Sequence, residues 1–502
     1  MPLLNSVVKL IIKRSISNTE YFIKRPHEAQ LKVFNKLILS AKNTEWGKKY
    51  SYCSVKTIAD YRERVPVSDY AAIKPYIDRM MQGEQNLLWN TPVKWFAKSS
   101  GTTSGRSKFI PVSLESLKEC HYKGGTDMLA MYFHNNPDSG IFNGRSLAMG
   151  GSLFKNEFFT GSYYGDISAI IMKNLPFWAD FFRAPELEIA LMDKWEAKIV
   201  QMAHTCMNQN ITSISGVPSW MMLLLNHITE LKNTNNIIDV WKNLELFIHG
   251  GVSFKPYVDQ YQKLIPKPGM KYLETYNSTE GFFGFQDSND IKEMLLMLDN
   301  GIFYEFLPYH VNEKENCVAV SLENVNTRDN YALVISTNSG LWRYIIGDTI
   351  RFTSLDPYRF IITGRTRNFI NAFGEEVIIE NAIKALTYAC DKTSAIVTEF
   401  TAAPVYLEKG KTGAHEWLIE FNKEPDNLNN FILYLDEELK HQNSDYEAKR
   451  YHDMILQVPV IRILPKGTFL RWMGKRGKLG GQYKVPKLSN ERTYVEEIMG
   501  MI

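Results

Sequence analysis

The chain has 502 residues, 44% of them hydrophobic and 13% aromatic, with a formal net charge of +3. That length can bury large cores and divides into two or more domains, while so small a charge argues against nucleic acid or an anionic membrane as a partner. Cys53, Cys120, Cys206, Cys317 and Cys390 are scattered with no CxxC pair, which argues against a zinc site and a disulfide framework and points to a reducing, cytoplasmic setting.

The first fifteen residues are basic and apolar, and no acidic residue precedes Glu20. Lys9 breaks the run, so it is no secretory signal, and no later run approaches the ~18 apolar residues of a membrane span. Two readings stay open for it: an amphipathic helix laid on the first domain, and a mitochondrial presequence. Residues 20 to 90 read as helices, with Leu31, Phe34, Leu37 and Leu39 on an apolar face and Val65-Pro66 as a stop after Asp60 to Arg64.

Between Ser99 and Ser107 nearly every residue is Ser, Thr or Gly, and Lys108 closes the stretch. Gly101 and Gly105 let the backbone approach an anion, so that successive N–H groups, the hydroxyls and Lys108 all donate to phosphate. It is not a Walker A loop, because three residues separate the glycines and Arg106 follows the second. A polar linker has the same composition. The apolar runs Val93 to Ala97 and Phe109 to Val112, however, clamp this loop between two predicted strands.

Leu114 to Tyr132 then has helical composition, and Ser146 to Ser152 reads as a strand ending in a Gly turn; His121 and His134 have no partners at ligand spacing. A helix is predicted from Leu187 to Met207. The buried strand that follows, from Ile211, runs into the turn Gly216-Val-Pro-Ser219 and an apolar helix, Met221 to Ile228. Leu244 to Val252 reads as a strand delivering Gly250 and Gly251 to its C-terminal end, where open α/β sheets bind ligands and bare backbone accommodates a flat base.

Tyr272-Leu-Glu-Thr-Tyr-Asn-Ser-Thr-Glu-Gly281 puts an aromatic, a hydroxyl and a carboxylate at a strand end. This suits stacking of Tyr276 on adenine, a phosphate contact from Thr279 and Mg²⁺ coordination by Glu280. Ser339-Gly-Leu-Trp-Arg-Tyr-Ile-Ile-Gly-Asp348 sets a carboxylate after a Gly, a natural acceptor for ribose hydroxyls. A Gly-Asp hairpin turn is the plainer reading of the same two residues. Ser394 to Phe400, His415 to Phe421, Phe431 to Lys440 and Val458 to Leu464 alternate strand and helix patterns, and Trp472 to Lys487 is a basic, Gly-rich loop.

Three of these stretches resemble known motifs. Ser99-Ser-Gly-Thr-Thr-Ser-Gly-Arg-Ser-Lys108 is similar to the phosphate loop of the adenylate-forming superfamily, Tyr276 to Glu280 to its Tyr-x-x-Thr/Ser-Glu, and Tyr344 to Asp348 to its Tyr-Arg-x-Gly-Asp region. The double-Ser start and the closing Gln482-Tyr-Lys-Val-Pro486 resemble most closely the auxin-responsive acyl-acid amido synthetases, the Gretchen Hagen family. The resemblance covers essentially the whole chain. It implies an α/β protein with a large N-terminal domain of mixed sheets and flanking helices, residues 1–364, binding ATP and acyl acid. A small mobile α+β C-terminal domain, residues 365–502, completes it.

Carried over position by position, the resemblance implies that Ser99, Ser100, Gly101, Thr102, Thr103, Ser104 and Lys108 hold ATP phosphates, with Tyr276, Thr279 and Asp348 completing the nucleotide site, to which the strand-end reading adds Gly250 and Gly251. Ile361 to Glu380 is similar to the superfamily's hinge, so Gly364 and Arg365 mark the swivel, with Arg365 in reach of the ribose. Val217, Pro218 and Ser219 match the turn that borders the acyl pocket, and a turn that only packs strand against helix would look the same. Lys484, with Lys478 second, supplies a mobile cation for the α-phosphate.

The implied activity is ATP-dependent activation of a carboxylic acid as acyl-AMP, followed by transfer to an amine, with an amino acid as the expected acceptor. Thr279 stands where amido synthetases usually show Ser and acyl-CoA ligases show Thr, so a thioester-forming ligase is kept beside it. A non-catalytic nucleotide-binding protein and a kinase also stay open. The identity of the acid is not written in any readable code, since pocket walls come from unrelated segments.

Overall fold

The structure is a computed structural model that describes residues 14–99, 108–254, 257–309, 318–365, 369–407, 412–476 and 485–502. In the helix Pro26–Ala41, Gln30, Val33, Phe34, Leu37, Ile38 and Ala41 face the core. Leu31 and Leu39 do not belong to that face: they are 48% and 64% exposed, because Leu39 lies about 200° round the helix from Leu37. The polar Gln30 docks the helix instead. Its amide donates to the carbonyls of Leu298 (2.8 Å) and Ile302 (2.9 Å) and accepts from the Tyr304 amide (2.9 Å). Thr57 and Asp60 form a capping box on Ile58–Arg64, which stops at Val65 as expected.

A small sheet carries the polar loop's two strands, β1 (Trp95–Ser99) and β2 (Lys108–Val112), paired antiparallel with Ser99 opposite Lys108. The predicted helix after it is π-wound over Ser116–Tyr122 before continuing as Lys123–Asn135. The small sheet is completed by β4 (Leu153–Lys155) and β5 (Tyr163–Gly165).

Among the described residues the central sheet has eleven strands. One half is parallel: β6 (Arg183–Ala184), β3 (Arg145–Ala148), β7 (Ile211–Gly216), β8 (Leu246–Gly250) and β9 (Lys271–Asn277), adjacent in that order. The other half is antiparallel and runs from β9 through β10 (Phe282–Phe285), β11 (Met294–Leu296), β15 (Tyr358–Arg365), β14 (Tyr344–Leu355) and β13 (Asn330–Thr337) to β12 (Ile302–Pro308). The helix expected over Leu187 to Met207 is two pieces, Leu187–Ala190 and Trp195–Cys206. Lys194 between them takes an extended backbone that no α-helix tolerates.

Beyond β15, the short hairpin of β16 (Phe369–Ile370) and β17 (Val377–Ile378) leads into the helix Ile379–Thr393. A three-stranded sheet of β18 (Ile396–Val405), β19 (Ala414–Lys423) and β20 (Val460–Leu464) follows, with the helices Leu428–Gln442 and Ser444–Arg450 between its last two strands. This α+β body shares a core with the larger one: Trp220, Tyr257 and Tyr261 lie in the same buried apolar cluster as Ile370, Phe373, Trp417 and Phe431. The hairpin is also tied to the larger body by the Tyr257 hydroxyl on the Ala372 carbonyl (2.7 Å) and the Ser219 hydroxyl on that of Phe373 (3.1 Å).

Candidate active site

A cleft of about 1820 Å³ opens where β3, β7, β8 and β9 end, roofed by the C-terminal body. Strand C-terminal ends are where open α/β sheets bind ligands. Pockets for a single small molecule run to ~1,000 Å³, so this one has room for a nucleotide and a second substrate together.

At one wall, Ser99 and Lys108 face each other across the base of the β1–β2 hairpin, and both line the cleft. The Lys108 ammonium sits 5.8 Å from the centre of the Tyr70 ring, and the Tyr70 hydroxyl accepts the Phe109 amide at 2.9 Å, which fixes the start of β2. The strands predicted on either side of the loop are therefore present and paired. Ser100, Gly101, Thr102, Thr103 and Ser104 lie outside the described residues, as do Lys478 and Lys484.

Tyr276 and Thr279 reach the cleft from the end of β9, with Glu280 beside them. Tyr276 packs its ring on Phe283, 4.7 Å between centres, and its hydroxyl donates to Asp348 Oδ2. Asp348 does not stand at a strand end or in a hairpin turn: β14 runs on to Leu355, and the backbone of Asp348 pairs with that of Arg365. Glu280 is nine-tenths buried. Its Oε2 accepts both the Ser278 hydroxyl (2.8 Å) and the Thr279 hydroxyl (2.6 Å). Thr279 is thus engaged with the carboxylate next to it as well as lining the cleft.

Gly250 and Gly251 both line the cleft, for two different reasons. A Cβ on Gly250 would lie 2.4 Å from the Thr275 carbonyl oxygen, so its bareness serves the close approach of β9; Gly251 has φ +83° and turns the chain. Of the turn Val217-Pro218-Ser219, only Val217 faces the cleft. Pro218 begins the helix Pro218–Leu231, and Ser219 is buried with its hydroxyl on Phe373. Those two residues are packing residues, not walls of the cleft.

Residues without a sequence signal also line the cleft, His121, His249, Glu274 and Lys449 among them. His121 sits in the π-wound segment with Nδ1 3.0 Å from Asn277 Oδ1, and burial pulls its pKa down to about 4. His249 stacks on Phe254 at 4.0 Å, and burial lowers it to about 3. Both rings are neutral at physiological pH. Burial pushes Glu274 the other way, up to about 7. The arginine of the Gly-Asp stretch has a structural role. Arg343 is locked on buried Glu305 (2.9 and 3.1 Å) and on the carbonyls of Arg62 and Val65.

No group of three His, Cys, Asp or Glu side chains among the described residues is arranged to hold a metal ion. Mg²⁺ does not ask for one, because it binds through one or two carboxylates, substrate phosphates and water. Glu280 fits that demand: Oε2 is held by two hydroxyls, and Oε1 takes no hydrogen bond from any described residue. No described helix is long and apolar enough to cross a membrane.

Comparison with known proteins adds three findings. Models described as the GH3 family N-terminal, central and C-terminal domains match residues 15–270, 295–365 and 380–493. The indole-3-acetic acid-amido synthetase GH3.3 of Arabidopsis thaliana is 23% identical, covering 91% of this chain and 88% of its own; the 4-substituted benzoates-glutamate ligase GH3.12 of the same plant is 22% identical, covering 85% and 87%. Among solved structures, the acyl acid amido synthetase AtGH3.15 in complex with 2,4-DB superposes with a TM-score of 0.63 at 18% identity over 97% of this chain and 96% of that one, a likeness of fold.

Proposed function

The chain belongs to the GH3 family, and from that premise we propose that it is an ATP-dependent acyl acid amido synthetase, a ligase. A carboxylate oxygen of the acid attacks the α-phosphorus of ATP, the bond to the β-phosphate breaks, and acyl-AMP and pyrophosphate result. An amine nitrogen then attacks the acyl carbon, the bond to AMP breaks, and the amine's proton passes to solvent. The observation that carries this reading is convergence. Ser99, Lys108, Gly250, Gly251, Tyr276, Glu280 and Asp348 come from five separate segments, and all line one cleft.

In this reading Asp348, held by Tyr276, accepts the ribose hydroxyls, with Arg365 beside it in the strand pairing. Ser99, Lys108 and the loop they close, Ser100 to Ser104 included, donate to the β- and γ-phosphates. Lys484 meets the charge that grows at the α-phosphate, where fixed positive charge contributes most. Glu280 would hold Mg²⁺, which when bound neutralises phosphate oxygens. Residues 365–502 act as the mobile domain, the swivel being Gly364, whose φ is +145°. The acceptor is an amino acid, as the name of the 4-substituted benzoates-glutamate ligase has it for that relative. We place the chemistry in the cytoplasm, where thiols such as Cys53, Cys120, Cys206 and Cys390 stay free.

The test is a screen of carboxylic acids for ATP–pyrophosphate exchange, followed by product analysis with the acid that responds. AMP, pyrophosphate and an amide are expected. ADP and a phosphorylated acid would make the protein a kinase, and an acyl thioester with no amide would make it an acyl-CoA ligase.

A further inference from the structure

The helix Ser444–Arg450 ends in two adjacent cations with opposite fates. Arg450 is fully engaged: Nε and Nη2 donate to Asp436 at 2.6 and 3.0 Å, and Nη1 donates to the Leu456 carbonyl at 2.6 Å. Lys449 turns into the cleft, is 7% exposed, and its ammonium makes no hydrogen bond or ion pair with any described residue. Its nearest support is the face of Trp220, 4.3 Å away. Its three donors find no acceptor among the described residues and open to the cleft, while burial of the side chain pulls its pKa down against the upward pull of Asp445, Glu375 and Asp166. An anion brought into the cleft would meet those donors.

Position narrows which anion. Trp220 follows β7, two strands away from β9 with its Tyr276 and Glu280, and two strand spacings are ~10 Å. Lys449 is therefore set apart from the ribose end of the cleft, on a helix whose first residue lies beside the β1–β2 hairpin, Lys98 Nζ donating to Ser444 Oγ at 3.4 Å. Asp445, one turn earlier on the same helix, and Asp166, across the cleft at Ser152, line this side too. A cation set among carboxylates matches a zwitterion, whose ammonium and carboxylate are two bonds apart, and repels a polyanion such as coenzyme A.

We propose that Lys449 binds the α-carboxylate of the acceptor amino acid and selects a zwitterionic acceptor, with the acidic side of the cleft facing its ammonium. This rests on the amide-forming reading above. The experiment starts from whichever of indole-3-acetate, benzoate or octanoate supports ATP–pyrophosphate exchange in the wild type, and finds the acceptor in pooled amino acids. That amino acid is then compared with its primary carboxamide, which keeps the amine and lacks the anion.

Lys449→Met should raise KM for the amino acid about tenfold or more, the worth of a charged hydrogen bond, and move KM for the carboxamide far less. Its loss in exchange should be at most a tenth of its loss in amide formation, and Lys449→Arg should recover most of the preference. Equal losses in exchange and transfer, or an unchanged ratio of amino acid to carboxamide, overturn the proposal. Wild-type protein that adenylates the acid yet forms only a thioester removes the reading beneath it, an outcome visible before any variant is made.

Discussion

The hydroxyl of Tyr276 donates to the carboxylate of Asp348 although three strands of the sheet lie between β9 and β14. The sheet must curl for these side chains to meet. Gly284 is one reason it can, since a Cβ there would lie 2.8 Å from the Phe360 ring. Two sequence motifs, read as separate nucleotide contacts, are thus joined in one hydrogen-bonded unit.

Tyr276→Phe removes the donor and leaves the ring, so Asp348 loses an interaction with a charged group of ~1.5–3 kcal/mol. The expected result is a KM for ATP raised roughly tenfold with kcat nearly kept, and a larger rise for Asp348→Ala. Steady-state kinetics in ATP settle it. A variant that melts earlier with unaltered KM would make Tyr276 a purely structural residue.

Glu280→Gln keeps the shape and the hydroxyl partners and removes the charge. If Glu280 holds the metal, kcat for pyrophosphate exchange should fall ~10²-fold, with little change in KM for ATP and a higher Mg²⁺ requirement. A titration of exchange rate against Mg²⁺ reads this directly. A rise in KM alone would contradict the assignment.

Gly250→Ala drives a methyl against the Thr275 carbonyl at 2.4 Å, backbone that cannot step aside without parting β8 from β9. The expected cost is ~1–3 kcal/mol, measured by denaturant unfolding. Unaltered stability would show that the two strands have slack.

Glu375 has no exposure and accepts the amides of Ala372 (3.1 Å) and Phe373 (2.7 Å) and the His415 ring N–H (2.9 Å). Burial pushes its pKa up, and the bond from His415 with these amides outweighs that, so the carboxyl titrates below its ordinary 4.5. A depressed acid stabilises the fold above its unfolded pKa and loses that contribution as pH falls through the folded value. Melting temperature should therefore drop below pH 4.5 in the wild type. Glu375→Gln should be less stable by ~3 kcal/mol at neutral pH, with a flatter acid limb. An equal acid limb in both proteins would assign the acid sensitivity elsewhere.

How far the sequence could be read depended on whether a residue's partner was near in the chain. The strands around the Ser/Thr/Gly stretch, the parallel strand at Ile211, the Gly250 turn and the α+β end were legible from period and composition, because those signals are local. So was the grouping of Ser99, Tyr276, Glu280 and Asp348 on one cleft, through their motifs, although Asp348 lies within β14 and not at a strand end. Ser219 was not, because what decides it is the Phe373 carbonyl 154 residues on. His121 is explained by Asn277, 156 residues away, and Lys449 by Trp220 across the cleft. Leu39 looked apolar enough for the core, and only the helical angle excludes it.

The buried cluster that joins Trp220 and Tyr257 to Phe373 and Trp417 also bears on how the protein is made. Residues 1–364 leave the ribosome first, and until the last quarter of the chain follows, Tyr257 has neither its Tyr406 neighbour, 6.3 Å between ring centres, nor the Ala372 carbonyl for its hydroxyl. For that interval the nascent larger body displays an aromatic surface that other chains can bind. Cutting the gene after Gly364 would make that interval permanent, so residues 1–364 expressed by themselves would need a new polar face where Phe373 and Trp417 now cover them.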